Sequence, residues 1–317
     1  MTDVVIRTHG LTRQFGRKCA LDEVTLSVPR GSVYALLGRN GSGKSTLIQL
    51  VLGLLSPTRG RSDIFGDNSQ ALSTTTLARI GHTPENHPLP MSLRVRDAAA
   101  FQRASYPAWD ETTFRVVTEP FGFLPTQTIS QLSRGQRAGL AIALAIAPRP
   151  DLLVMDDPAL GLDPLARRTL LEAMLLATRR EGTTIFFTSH LLDDVERVAD
   201  HVAVLDRSVL RVACPLDTLL RRVRRFAVDT QNDAPLLALP NLLQSRREGG
   251  RLNVTLANAD ESTLSRLRTL AGGAAIEALP VTLEQAVLGY LGESKHSVSM
   301  LDRTTSVVQS EPVADVA

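Results

Sequence analysis

The most informative segment for the fold is Gly38-Arg39-Asn40-Gly41-Ser42-Gly43-Lys44-Ser45-Thr46. It follows an apolar run, Val33 to Leu37, and precedes a helical pattern that continues from Lys44 to about Leu54. A glycine-rich loop between a strand and a helix is typical of phosphate binding, because glycines let the backbone curl until successive N–H groups face one anion. The start of the helix adds a positive partial charge of roughly +0.5. The sequence therefore predicts a nucleoside triphosphate site.

Two side chains of this loop are suited to a triphosphate and its magnesium ion. Lys44 can reach the β- and γ-phosphates, and the hydroxyl of Ser45 can bind Mg²⁺. Lys44 also stands out in the composition, since lysine occurs elsewhere only at positions 18 and 295. The predicted nucleotide-binding residues of the loop are Gly38, Asn40, Gly41, Ser42, Gly43, Lys44, Ser45 and Thr46.

Further apolar runs place this loop in an α/β domain. Leu152 to Met155, Thr183 to Thr188 and Val202 to Leu205 are predicted strands, and helical patterns separate them. Apolar strands that alternate with helices favour a largely parallel sheet. Asp156 directly follows the first of these strands, where a carboxylate beside a phosphate loop holds Mg²⁺, usually through water. Two more strands are predicted nearer the amino terminus, Val4 to Arg7 and Val24 to Val28.

The composition is that of an ordinary soluble globular protein. The chain has 317 residues, of which 43% are hydrophobic and 21% charged, and this length predicts two domains. A net charge of +2 gives no strong field, so we expect no nucleic-acid partner. Cys19 and Cys214 are too few for a disulfide framework or a zinc site, which favours a reducing, intracellular setting. We find no signal peptide and no apolar run of the ~20 residues that span a bilayer, so a membrane role requires a partner.

The sequence pattern changes at Leu220 and divides the chain. Residues 1–220 form the predicted α/β domain, with a helical subdomain at about 91–147, and residues 221–292 form a small α+β accessory domain. Residues 293–317 lack periodicity and are a predicted flexible tail. The basic run Arg221 to Arg225 is interpreted as a solvated helix face rather than a surface for nucleic acid or lipid. The elements predicted in the accessory domain are a strand, Leu252 to Leu256, and two helices, Glu261 to Leu270 and Thr282 to Tyr290.

A third motif makes the resemblance to a known family specific. Leu132-Ser133-Arg134-Gly135-Gln136 opens an alanine-rich helical stretch toward Ala147. Together with the phosphate loop and the Leu152–Asp156 run, it occurs in the order found in ABC transporter ATPases, which residues 1 to about 220 resemble. The phosphate loop is similar to the family's Walker A motif, Leu152–Asp156 to Walker B, and residues 132–136 to its signature, with Arg134 in the third position. The stretch Pro158 to Asp163 is similar to its D-loop.

The resemblance implies a P-loop NTPase fold of the ABC type with a helical subdomain, ATP and Mg²⁺ as ligands, and a dimer of ATP-binding heads. An integral membrane permease is the implied partner, which places the chain in the cytoplasm, peripherally on the inner face of the cell membrane. Phe15 falls where an aromatic ring stacks on adenine in the family. The other implied roles are catalysis for Asp157 and His190, metal binding for Ser45, Glu85 and Asp156, contact with ATP in the opposite subunit for Ser133, Gly135 and Gln136, and the D-loop aspartate for Asp163.

Two residues depart from the family pattern. Asp157 replaces the glutamate that serves as general base, and its carboxylate is set back by something like 1–1.5 Å, about one carbon–carbon step. A displacement of that order can lower a rate by about 100-fold. Glu85 replaces the usual glutamine in a stretch that resembles the family's Q-loop, as in some drug- and polysaccharide-export ATPases. Residues 280–287 are similar to a terminal helix of drug-export ATPases. We therefore expect an exporter whose permease docks at residues 86–90 and the helical subdomain.

Other functions stay open on the sequence alone. Asp157 is compatible with an ATP-gated regulatory clamp whose hydrolysis is weak or vestigial, and ATP turnover would distinguish such a clamp from a motor. A family member that acts in translation or DNA repair is disfavoured, because the chain has one phosphate loop, no zinc-ligand spacing and no heptads.

Overall fold

The computed structural model describes residues 3–239 and 241–291, and the predicted tail at 293–317 lies outside them. The chain divides into two compact units, Met1–Leu219 and Leu220–Ala317. The strands of the first unit are β1 (Val4–Phe15), β2 (Lys18–Pro29), β3 (Val33–Leu37), β4 (Arg59–Ile64), β5 (Asp67–Asn68), β6 (Ile80–Thr83), β7 (Leu152–Met155), β8 (Thr184–Ser189), β9 (His201–Asp206) and β10 (Val209–Pro215). Its helices are α1 (Lys44–Val51), α2 (Thr74–Leu77), α3 (Val95–Ser105), α4 (Glu111–Thr118), α5 (Arg134–Ile146), α6 (Pro164–Glu181) and α7 (Leu192–Val198). The chain passes into the second unit within α8 (Leu216–Arg222).

A mostly parallel sheet forms the core of the first unit. In the described residues it has six strands in the order β10-β9-β3-β8-β7-β6. All neighbouring strands run parallel except β10, which pairs antiparallel with β9. Every residue of β3, β7 and β8 is buried, as expected for parallel strands covered on both faces. The predicted α/β architecture is confirmed, and the carboxyl ends of β3, β8, β7 and β6 lie along one edge of the sheet.

A second sheet in this unit is antiparallel, with the strand order β2-β1-β4-β5. The sequence predicted short strands at 4–7 and 24–28, whereas β1 and β2 have 12 residues each and form a long hairpin. The pairing shifts register several times along β1, so the outer half of the hairpin shows no regular alternation of apolar and polar residues. The hairpin carries Phe15 to its end, where it pairs with Lys18.

The stretch predicted to be mostly helical, Val95 to Ala147, contains three separate helices, α3, α4 and α5. Pro107 lies in the first break, and Gly122, with φ +62°, lies in the second. Helix α1 ends at Val51, earlier than predicted, because Gly53 has φ +71° and a Cβ atom there would lie 1.9 Å from the carbonyl oxygen of Ser69. Among the described residues, no helix combines the length and apolar character needed to cross a membrane.

The second unit has the α+β composition expected for the accessory domain. Its elements are β11 (Arg224–Val228), α9 (Ala234–Leu237), β12 (Leu242–Glu248), β13 (Arg251–Leu256), α10 (Glu261–Leu270), β14 (Ile276–Leu279) and α11 (Leu283–Tyr290). The sheet is antiparallel, with the order β12-β13-β11-β14 in the described residues. One face of this sheet packs its apolar side chains, including Phe226, Val254 and Leu256, in a core with Leu267 from α10.

The start of α4 offers a test of the helical subdomain. The Asp110 carboxylate caps this helix by accepting from the backbone N–H groups of Thr112 and Thr113, and it pairs with Arg149 at 2.7 Å. We expect Asp110→Ala to lower the free energy of unfolding by about 1 kcal/mol, because an N-cap is lost. Asp110→Asn keeps a capping oxygen and should lose less, since an exposed ion pair contributes about 0–1 kcal/mol. Urea-unfolding midpoints at pH 7 measure both variants.

The same pair predicts a pH dependence. The hydrogen bond from Arg149 lowers the pKa of Asp110 to about 2, below its value in an unfolded chain. The stabilisation by the Asp110 charge is therefore complete above about pH 4 and is lost as the pH falls toward the pKa of Asp110 in the folded protein. The difference in the free energy of unfolding between wild type and Asp110→Asn should shrink over that range. An asparagine variant as unstable as the alanine variant at pH 7 would contradict the capping role.

Candidate functional site

One pocket collects residues from the ends of several strands. It has a volume of about 520 Å³ and lies at the carboxyl edge of the parallel sheet, with the hairpin of β1 and β2 contributing one side. The predicted site residues that line it are Phe15, Asn40, Gly41, Gly43, Lys44, Ser45, Thr46, Glu85, Asp156, Asp157 and His190. Four lining residues were not predicted, Lys18, Ala20, Leu160 and Thr188.

The phosphate loop connects β3 to α1 and requires glycine at two positions. Gly43 has φ +110°, and a Cβ atom there would lie 2.3 Å from the carbonyl oxygen of Ala20. A Cβ atom at Gly38 would lie 2.3 Å from the carbonyl oxygen of Leu205 and 2.6 Å from Ser42 Oγ. Gly38 and Ser42 thus lie beneath the loop rather than among the lining residues. The loop therefore packs closely against β9 and the hairpin, which restricts its backbone.

The Lys44 ammonium lies inside this curl. Its Nζ donates hydrogen bonds to the carbonyl oxygens of Gly38, at 2.8 Å, and Arg39, at 3.1 Å. Burial lowers the pKa of Lys44 from its usual range, whereas the negative charges of Asp157, Asp156 and Glu85 act to raise it. The lysine is therefore a partly buried cation that faces acidic groups across the pocket.

The two consecutive aspartates after β7 are held by a threonine on the neighbouring strand. Thr188 Oγ1 donates to Asp156 Oδ1 at 2.6 Å, and the backbone N–H of Asp157 donates to the same Oγ1 at 2.7 Å. Thr188 is fully buried in β8. Thr188 was predicted only as the last residue of a strand, although a polar residue at the end of an apolar strand, two positions before His190, was a usable signal.

Asp157 and His190 form a direct pair. His190 Nδ1 and Asp157 Oδ2 are 2.7 Å apart, and the imidazole is more exposed than the carboxylate. Burial raises the pKa of Asp157, while the His190 and Lys44 side chains lower it. The backbone of Asp157 adopts φ +45°, a left-handed conformation that costs a residue with a side chain about 1–2 kcal/mol. The structure therefore holds this short carboxylate in an unfavourable backbone conformation that brings it to His190.

The oxygen atoms in the pocket fit a hard divalent cation. The hydroxyl of Ser45 and the carboxylates of Glu85 and Asp156 line the same space, and oxygen is the ligand atom that Mg²⁺ prefers. Within residues 3–239 and 241–291, no three His, Cys, Asp or Glu side chains cluster closely enough to bind a metal by themselves. That donor set suits Mg²⁺, which uses one or two carboxylates together with substrate phosphates and water.

The signature residues lie at a different place, the start of α5. Ser133 caps this helix by accepting from the N–H of Gln136, and the Gln136 side chain accepts in return from the N–H of Ser133. A Cβ atom at Gly135 would lie 3.7 Å from Asp163 Oδ2, so the D-loop residue is a close neighbour. Asp163 caps α6 by accepting from the backbone N–H groups of Leu165 and Ala166. None of the residues Ser133, Gly135, Gln136 and Asp163 lines the pocket of the same chain.

Arg134 connects the signature to two loops that the sequence did not link to it. Its guanidinium donates to Asn86 Oδ1 at 3.3 Å, and a Cβ atom at Gly161 would lie 2.3 Å from Arg134 Cζ. Next to Asn86, the His87 side chain is buried, and burial lowers its pKa while the nearby backbone of Pro158 acts to raise it. The loop that carries Glu85 is therefore joined through Arg134 to the loop that carries Asp157.

Phe15 lies at the edge of the pocket and is half exposed. The guanidinium of Arg13 lies over its ring, 4.6 Å from the centroid. Lys18, the adjacent lining residue on the hairpin, was not predicted, although the rarity of lysine that drew attention to Lys44 applied equally to it. A flat aromatic ring at this end of the pocket suits stacking on a nucleotide base.

This combination of a parallel sheet, a phosphate loop and facing carboxylates defines a P-loop nucleoside triphosphatase. Comparison with known proteins gives the family. Residues 21–160 match the ABC transporter family. The chain is 31% identical over 238 residues to the bacitracin transport ATP-binding protein BcrA of Bacillus licheniformis, covering 74% of this chain and 78% of that protein. It is 32% identical over 202 residues to the lantibiotic transport ATP-binding protein SrtF of Streptococcus pyogenes, covering 63% and 86%.

A solved structure agrees with these sequence relatives. An ATP-binding subunit of an ABC transporter superimposes with a TM-score of 0.61 at 27% identity, covering 68% of this chain and 92% of that one. The chain belongs to the ABC transporter family, as an ATP-hydrolysing subunit of the type found with drug-export relatives.

The packing under the phosphate loop can be tested without nucleotide. Gly43→Ala and Gly41→Ala both place a side chain at positive φ, but only the first also drives Cβ against a backbone carbonyl, since nothing lies within 4 Å of Gly41. We expect Gly43→Ala to lower the melting temperature of the ligand-free protein clearly more than Gly41→Ala. Thermal unfolding of the two variants side by side measures the difference, and equal destabilisation would contradict the close approach of Ala20.

Proposed function

We propose that this chain is the motor subunit of an export transporter, in which two heads close on ATP and drive a separate membrane permease. The observation that carries the proposal is the convergence of Lys44, Asp156 and the Asp157–His190 pair in one pocket. The names of the relatives support export, since they are transport proteins for bacitracin and lantibiotics and an export protein for Nod factor. On this proposal the chain works in the cytoplasm, on the inner face of the membrane.

Phosphoryl transfer depends mainly on positioning and on neutralising charge, and the residues of the pocket suit both tasks. Lys44 and the loop amides would bind the phosphates, and Phe15 would stack on the adenine. Ser45, Glu85 and Asp156 would hold Mg²⁺, which supplies charge neutralisation at the phosphate oxygens. Asp157 would orient the attacking water and accept its proton, while the His190 ring would hold Asp157 and contact the γ-phosphate.

The proposed dimer follows from the position of the signature. Ser133, Gly135 and Gln136 lie at the exposed start of α5, away from the pocket of their own chain, and the helix gives that end a positive partial charge. A second head could bring this helix end to the γ-phosphate, with Asp163 at the contact between heads. ATP would then join the two heads, and hydrolysis would release them.

The proposed permease surface is the segment at residues 86–90 together with the helical subdomain. Among the described residues of this region, Phe101 is exposed to 69%, and the other exposed large apolar side chains are Met91, Leu93, Val116 and Leu124. Exposed apolar side chains that occur together indicate a contact with a partner. Arg134 connects the same segment to the loop that carries Asp157, which gives the proposed contact a route to the site of hydrolysis.

Removing the Lys44 ammonium tests the nucleotide site. We expect Lys44→Ala to weaken ATP binding by about 10- to 100-fold, because hydrogen bonds to a charged partner contribute about 1.5–3 kcal/mol. Lys18→Ala removes the same charge from the hairpin side of the pocket and should have a smaller effect. Equilibrium titration with ATP measures both. Unchanged affinity of the Lys44 variant would refute the assignment of the phosphate loop.

Steady-state Mg²⁺-ATPase activity tests Asp157 as the base and decides between the motor and the clamp. We expect the wild type to turn over and Asp157→Asn to lose about 100-fold or more in kcat, the usual contribution of general-base catalysis. Asp157→Glu keeps a carboxylate but displaces it from His190, so it should retain only part of the activity. A silent wild type that binds ATP, with activity gained by Asp157→Glu, would instead identify an ATP-gated clamp.

A further inference from the structure

We propose that Thr188 is a positioning residue that sets the geometry of both carboxylates at once, Asp156 as the metal ligand and Asp157 as the base. The inference rests on the roles proposed above for these two aspartates. It concerns one hydroxyl group, which has contacts with a side chain on one side and with the backbone on the other.

The direction of the two hydrogen bonds follows from their chemistry. A carboxylate can only accept, so the Thr188 O–H donates to Asp156 Oδ1. A backbone N–H can only donate, so the lone pair of Thr188 Oγ1 accepts from Asp157. Both distances, 2.6 and 2.7 Å, are short, and the group is fully buried. The hydroxyl therefore has one satisfactory orientation, and it fixes the Asp156 side chain and the Asp157 peptide together.

Thr188 and His190 restrain different parts of Asp157. Thr188 holds the backbone N–H at one end of the residue, and His190 holds Oδ2 at the other. Both come from the end of β8 or directly after it, so the same strand positions both ends of Asp157. The side chain between them contains a single methylene, which leaves little freedom to correct a misplaced backbone.

The backbone conformation of Asp157 requires a restraint of this kind. Its φ of +45° is one that residues with side chains rarely adopt, so without restraint the peptide would favour another conformation. The hydrogen bond from its N–H to Thr188 opposes that change. A hydroxyl at position 188 thus lets a base shorter by one methylene keep a fixed position relative to Asp156.

The experiment compares three variants. Thr188→Val keeps the shape and burial but removes the hydroxyl, and Thr188→Ser keeps the hydroxyl but removes the methyl group. Thr184→Val is the matched control, because Thr184 is also fully buried in β8 and its Oγ1 also accepts a backbone N–H, from Gly31 at the opposite end of the strand. Two quantities are measured for each, the kcat and KM of ATP hydrolysis, and the ratio of ATP affinities with Mg²⁺ and with EDTA.

We expect Thr188→Val to lower kcat at least tenfold with less than a threefold change in KM, and to reduce the Mg²⁺ enhancement of ATP affinity. Thr188→Ser should restore both quantities to near wild type, and Thr184→Val should leave both unchanged whatever it does to stability. Wild-type kcat and Mg²⁺ dependence in Thr188→Val would overturn the proposal, as would a serine variant as impaired as valine.

The affinity ratio separates this inference from the proposed function. A wild type that does not hydrolyse ATP would refute the motor, yet a selective loss of Mg²⁺ enhancement in Thr188→Val would still support the positioning of Asp156. A wild type whose ATP affinity is indifferent to Mg²⁺ would remove the metal role of Asp156 and overturn the inference. A loss in Thr184→Val equal to that in Thr188→Val would show a general effect of a buried hydroxyl on β8, and would also overturn it.

Discussion

The burial of three adjacent parallel strands, β3, β8 and β7, determines where the site residues lie. Because both faces of each strand are covered, a shift in register by one residue would move a polar strand end into the core. The register places the phosphate loop, Thr188 and Asp156 at the same edge of the sheet. The positions of the site residues are therefore set by the packing of the apolar core, although none of these residues contributes to it.

Within that frame, the end of β8 determines the geometry of the end of β7. Thr188 and His190 hold Asp156 and Asp157 across the strand pair, and the cost of the positive φ at Asp157 is offset by contacts that only this arrangement provides. The replacement of glutamate by aspartate therefore needs to be considered together with its neighbours. A shorter carboxylate is compatible with a working site where its backbone and its free end are both restrained, which is the situation in this pocket.

The sequence predicted local features of the site better than contacts between residues far apart in the chain. The phosphate loop between β3 and α1 and the cap of α5 by Ser133 could be predicted, because glycine freedom and helix capping operate within a few residues. The contacts of Thr188 with Asp156, and of Arg134 with Asn86, join residues far apart in sequence and left no periodic signal. The long hairpin was missed for a related reason: its register shifts erase the alternation by which strands are predicted.

The predicted site residues fall into two groups, and this division bears on how the protein would work. One group, around Lys44 and Asp157, converges in a pocket of a single chain, while Ser133, Gly135 and Asp163 gather around the starts of α5 and α6 outside it. If the second group acts on ATP, it acts on the ATP of another head, so a single chain contains only part of the catalytic site. Arg134 follows the signature serine and also contacts the loops after β6 and β7. Its side chain would therefore couple closure of the two heads to the positions of Glu85 and Asp157. Hydrolysis would then depend on both heads and on the partner that occupies the segment at residues 86–90.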